Sequence, residues 1–168
     1  AVLGLAAGSH SRAFHGFCRQ AWDRAIDGVE IDPAVIAIAR DRLGLTAEQH
    51  PRLTIHAADG RPWLAAAPGP YHLIIVDAFA QQLYVPFHLA TVEFFRVVHA
   101  KLAEGGCVAF NVFPSREDAA LVNALGATLR AVFGDTVWAA RLSGTGNLLV
   151  CARKGRGLDR DALLHVHR

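Results

Sequence analysis

The chain has 168 residues, 52% of them hydrophobic, and its 17 basic residues are scattered among 15 acidic ones, for a net charge of +2 with histidine neutral. That length suits one domain burying roughly two-thirds of the surface its extended chain exposes, and the scattered charge leaves no footprint for nucleic acid. No apolar run approaches the roughly 20 residues that span a bilayer, and the cysteines lack CxxC spacing, which excludes a membrane segment and a disulfide scaffold in this chain and points to a cytoplasmic protein with reduced thiols.

Ala1 to Ala6 reads as a buried strand; with no methionine in the chain it reads as the start of a fragment or excised domain, and nothing basic precedes it as a secretory signal requires. The turn Gly4-Leu5-Ala6-Ala7-Gly8-Ser9-His10 is built of small residues that let the backbone approach a ligand before a helix begins, although plain helix-sheet packing asks for the same residues. Ser11 to Trp22 follows as a helix with Phe14, Phe17 and Cys18 on one face. The second strand, Ala25 to Ile31, carries Glu30 about twenty residues past that turn, the place from which a carboxylate accepts hydrogen bonds from ribose hydroxyls; the alternative is an exposed strand-end glutamate. Asp32 as N-cap and Pro33 at the first position open a helix through Leu43, which Gly44 ends.

After the third strand, Arg52 to Ala57, Asp59-Gly60 offers either an acceptor for an exocyclic adenine amine or an ordinary turn, and Trp63 either stacks on a purine or fills the core. The fourth strand, Tyr71 to Asp77, ends in a carboxylate behind four aliphatic residues; desolvated at the mouth of a central strand, it suits a base or an orienting acceptor for a nucleophile, the alternative being a loop-bracing cap. A helix from Leu89 to Leu102, with Val92, Phe95 and Val98 at helical spacing, ends in Gly105-Gly106. The strand Cys107 to Phe113 precedes a helix from Ser115 to Phe133 that opens with a capping pattern. The strands Thr136 to Leu142 and Asn147 to Arg153 are joined only by Ser143-Gly144-Thr145-Gly146, a turn too short for a parallel crossover, so the last strand runs backwards. The histidines show no metal-binding spacing and read as surface and packing residues, although His10 lies close enough to the first turn to contact a ligand. The domain is expected over 1–154, with 155–168 as a tail or short helix.

Seven strands alternating with helices predict a Rossmann-like three-layer α/β sandwich with a seven-stranded, mostly parallel sheet whose last strand is antiparallel. In such a sheet the carboxyl ends of the strands converge on one crevice, which gathers Glu30, Asp59 and Asp77. In Val29-Glu30-Ile31-Asp32, Asp59-Gly60 and Ile75-Val76-Asp77-Ala78 the chain resembles the class I S-adenosylmethionine-dependent transferase fold and, within it, the spermidine synthase (polyamine aminopropyltransferase) family, from about Val2 to Arg153.

The resemblance implies S-adenosylmethionine or its decarboxylated form as ligand. Glu30 would then bind the ribose diol, Asp59 and Gly60 the adenine, and Gly8 the sulfonium side, with Gly4, Ala6, Ser9 and Ile31 also lining the site. It implies Asp77 as the catalytic carboxylate that orients and helps deprotonate an attacking amine, releasing methylthioadenosine; Gln81 and Tyr84, on the loop after Asp77, are the chain's own local candidates for enclosing the substrate side. The implied partner is a small amine, no metal is called for, and a homodimer is the oligomer the family suggests. Ser9 and His10 stand where the family usually places Asp and Gly, Ala80 where it places a second Asp, and the chain begins after the family's amino-terminal β-rich segment would end. The alternatives are a methyltransferase releasing S-adenosylhomocysteine and a non-catalytic nucleoside-binding module. Glu30 also permits a nicotinamide-dependent oxidoreductase, against which the reversed last strand and Asp77 argue.

Overall fold

Short β-branched and aliphatic runs alternate with helical segments along the whole chain, and the computed structural model, which describes residues 1–17, 24–78, 86–112, 119–141 and 147–155, folds them into one sheet. The elements in chain order are β1 (Val2–Leu3), α1 (Ser9–Phe17), β2 (Ile26–Glu30), α2 (Pro33–Leu43), β3 (Leu53–Ala57), α3 (Gly60–Ala66), β4 (Tyr71–Val76), α4 (Val92–Lys101), β5 (Leu102–Val112), α5 (Ala119–Phe133), β6 (Val137–Arg141) and β7 (Leu148–Arg153). The sheet order is β3-β2-β1-β4-β5-β7-β6. Neighbours from β3 to β5 are parallel, and β7 runs antiparallel to both β5 and β6. The reversed last strand follows from the short link to β6, as expected; it slots between β5 and β6 instead of lying at the sheet edge.

The main core joins Ile74, Val76, Val108 and Phe110 of the central strands to Phe94, Phe95 and Val98 of α4 and Leu125 and Leu129 of α5, all buried. Each fully buried large apolar side chain contributes about 1.5–3 kcal/mol. Trp63 belongs to this packing: its ring lies 4.7 Å from His56 and 6.4 Å from Tyr71, so it fills core. Cys151 is buried and Cys107 half-buried, both as free thiols. Burial pushes the Cys151 thiol up to about 11, with the neighbouring Cys107 adding to the rise.

Several boundaries differ from expectation for physical reasons. β1 covers only two residues, because Gly4 at φ 89° and Ala6 at φ 45° turn the chain away from the sheet. The fourth helix begins at Val92, where the Thr91 hydroxyl accepts a hydrogen bond from the Phe94 N–H at 3.2 Å. It ends at Lys101, four residues before Gly105-Gly106, because Leu102 already pairs with Tyr71. The two glycines then form an irregularity in β5; a Cβ on Gly106 would stand 2.9 Å from the Ala103 and Tyr71 carbonyl oxygens. The helix α3 was not anticipated, although its signals are present: Asp59 as N-cap and Pro62 in the first turn, where a missing N–H costs nothing. The end of the first helix, the opening of the fifth, the Ser143 to Gly146 turn and most of the tail lie outside the described residues.

Candidate functional site

Parallel strands expose their carboxyl ends on one side, and between β1 and β4 the chain order reverses direction across the sheet, which leaves a crevice. A cavity of about 430 Å³ opens there. Its wall includes Gly4 and Ala6 from the first turn, Glu30 and Ile31 after β2, Asp59 and Gly60 after β3, and Asp77 after β4. The three separated acids therefore face one space, as the strand-end argument requires.

Glu30 is buried, at 9% exposure, and both of its oxygens are in use. Oε2 accepts the Ala6 N–H at 2.9 Å and Oε1 the Asp32 N–H at 3.2 Å. One carboxylate thereby holds the first turn open, with Ala6 in the left-handed region that non-glycine residues seldom occupy. Each oxygen keeps acceptor capacity, since a carboxylate offers about four lone-pair sites. The expected turn and ribose carboxylate are thus one connected unit.

Asp59 serves two expectations at once. Its Oδ1 accepts the Arg61 N–H at 2.9 Å and caps α3, while Oδ2 lies 3.7 Å from the His88 Nε2 at the cavity wall. Ile31 lines the same wall at 68% exposure, an unusually open position for a large aliphatic side chain. Gly4 allows β1 and β4 to close together: a Cβ there would fall 2.4 Å from the Asp77 backbone oxygen.

Asp77 is 22% exposed, less desolvated than its sequence context suggested. Its Oδ1 accepts the Asn111 Nδ2–H at 2.7 Å and its Oδ2 lies 2.8 Å from the His10 Nε2. Asn111 is held in turn by Asn147, whose Nδ2 donates to its Oδ1 at 3.0 Å. All four residues sit at the carboxyl edge of the parallel strands, where the antiparallel β7 begins.

Not every expected residue joins the cavity. Gly8 and Ser9 are not among its lining residues; a Cβ on Gly8 would stand 2.2 Å from the Leu45 Cδ1, so this glycine lets the first turn pack against the chain that follows α2. Gln81, Tyr84 and Ala80 lie outside the described residues. Sequence reasoning missed Asn111 and His88. Asn111 had a usable signal, an amide breaking the apolar run Val108-Ala109-Phe110, where asparagine is disfavoured in strands.

The chain matches the family model described as "Spermine/spermidine synthase domain" over residues 18–137. It belongs to that family. A probable polyamine aminopropyl transferase of Bifidobacterium longum is 30% identical over 165 residues, which cover 96% of this chain and 35% of that protein. The chain thus spans about a third of the length of that curated relative. Human methyltransferase-like protein 13, solved in complex with SAH, superimposes with a TM-score of 0.80 at 26% identity, covering 97% of this chain and 75% of that one. A probable spermidine synthase from Corynebacterium glutamicum gives a TM-score of 0.73 at 26% identity, covering 90% of this chain and 54% of that one. The Rossmann-like sandwich expected from the strand pattern, and the methyltransferase fold expected from the resemblance, are the fold observed.

Proposed function

We propose that this spermidine synthase-family domain binds decarboxylated S-adenosylmethionine, or S-adenosylmethionine itself, in the strand-end cavity and transfers an aminopropyl group to a small amine. The observation that carries this reading is the convergence of Glu30, Asp59 and Asp77 on one cavity of about 430 Å³ at the point where the strand order reverses.

The residues present fit an adenosine-bearing ligand. Glu30, fixed from both sides by backbone N–H groups, has lone pairs left for a ribose diol. The open Ile31 side chain offers an apolar face to a base, and the Asp59 Oδ2, not used by its helix cap, accepts from an exocyclic amine. Asp77 is the group closest to chemistry, positioned to attract and orient a cationic amine. Gly8 and Ser9 remain assigned to the ligand side by family resemblance, and Gln81 and Tyr84 to the acceptor side by their place in the sequence after Asp77. A homodimer in a cytoplasmic setting belongs to the same reading.

Methyl transfer is the second reading, supported by the similarity to the SAH-bound methyltransferase-like protein. Both reactions attack a carbon on one sulfonium and differ in which carbon is aligned with the nucleophile. Product analysis decides between them: with decarboxylated S-adenosylmethionine and a diamine the expected product is methylthioadenosine. S-adenosylhomocysteine formed from S-adenosylmethionine would replace the first reading with the second, and neither product with any amine or methyl acceptor would overturn both.

A further inference from the structure

We propose that His10 and Asp77 form a carboxylate–imidazole dyad in which the imidazole takes the proton of the incoming amine and Asp77 orients the ring. This rests on the transferase reading and assigns a role to a residue that stands where the family usually has glycine. His10 is the second residue of α1, directly after the turn that lines the cavity, and its Nε2 lies 2.8 Å from the Asp77 Oδ2.

The hydrogen bonds fix the roles of the atoms. Asn147 donates to the Asn111 Oδ1, so the Asn111 amide presents its N–H to the Asp77 Oδ1. The carboxylate plane is therefore held from one side by β5 and from the other by α1. An ionised carboxylate facing a ring nitrogen at this distance requires a proton between them, which puts the hydrogen on Nε2 and leaves Nδ1 as the acceptor. Among the described residues nothing else bonds to this imidazole; its side chain is 27% exposed and, although not itself among the residues lining the cavity, it touches Asp77, which is. Imidazole is also the side chain best matched to proton transfer near neutral pH.

The step balances. The ammonium N–H bond breaks and an Nδ1–H bond forms, directly or through one water. The freed lone pair attacks the carbon beside the sulfonium sulfur, the electrons of that carbon–sulfur bond return to sulfur, and a neutral thioether leaves. The resulting imidazolium lies against Asp77, which stays ionised throughout, an arrangement that stabilises the charge as it forms.

Two measurements test the dyad. In protein labelled with ¹⁵N-histidine, ring ¹⁵N correlation spectra of neutral His10 are expected to show a protonated Nε2 and a bare Nδ1, a balance that Asp77→Asn abolishes; the opposite tautomer would overturn the proposal whether or not the domain turns over. In the transfer assay with decarboxylated S-adenosylmethionine and 1,4-diaminobutane, His10→Ala is expected to lower kcat by about 10²–10⁴-fold, with methylthioadenosine affinity retained and the rate partly restored by added imidazole. His10→Gln, which keeps a donor toward Asp77 but cannot take a proton, is expected to be as slow as His10→Ala. Full activity in His10→Gln would make His10 a mere donor to Asp77. Absence of turnover in the wild type would instead fall on the transferase reading, and the tautomer would decide the dyad alone.

Discussion

At the residue scale, the site depends on two kinds of position, glycines that permit close approach and acids that face the cavity. A Cβ on Gly4 meets fixed backbone at 2.4 Å, whereas one on Gly8 meets the end of the Leu45 side chain at 2.2 Å. Backbone cannot give, while a leucine can change rotamer at a cost of about 1–3 kcal/mol. Gly4→Ala is therefore expected to lower the melting temperature more than Gly8→Ala in a thermal scan, and the reverse order would contradict the packing described. Asp77→Asn keeps the shape of the side chain but removes its charge and one of its two acceptors, so nucleoside affinity is expected to change less than about threefold while turnover falls by about 10²-fold or more; a calorimetric titration beside a rate assay checks both. Glu30, Asp59 and Asp77 were legible because each terminates a recognisable apolar run. The His10–Asp77 and Asn111–Asp77 bonds were not, since they join residues 67 and 34 positions apart and no local pattern encodes which loops meet.

At the scale of elements, helix caps with strong local chemistry were readable and pairing irregularities were not. Asp32 accepts the Ala34 N–H at 2.8 Å, and Gly44 ends α2 at φ 68°, as the Asp-Pro and Gly signals predict. The beginning of β5 depends on Leu102 meeting Tyr71, a partner chosen by the whole sheet. Where α4 packs on α5, the His99 ring lies 5.1 Å from Phe133. Burial holds this imidazole below its ordinary value, the Lys154 charge lowers it further, and Glu104 offsets part of the effect. The unfolded chain therefore binds this proton first as pH falls, and the stability contributed by neutral His99 is present above the ordinary imidazole value and lost on acidification through the folded one. Between pH 7 and 5 the melting temperature is expected to fall, and less steeply in His99→Gln; identical slopes in the two proteins would remove His99 from the acid sensitivity.

At the scale of the whole molecule, the alternation of strands and helices and the short link before β7 were enough to give the fold class and the reversed last strand. The insertion of β7 between β5 and β6 was not legible, because hydrogen-bond partners in a sheet are chosen by side-chain fit across strands and both arrangements satisfy the same connection. The functional account depends on the all-parallel half of the sheet that starts at the β3 edge, where the ends of β3, β2, β1 and β4 surround one cavity. Its central claim is that this cavity holds an adenosine thioether through Glu30. The most direct measurement is a calorimetric titration of methylthioadenosine into the wild-type protein and Glu30→Gln, with thermal scans of both. The account expects saturable binding to the wild type and a loss of at least about tenfold in the variant, the size of a lost charged hydrogen bond, in a protein that still melts cooperatively. No binding to the wild type, or equal affinity in the two proteins, would contradict it.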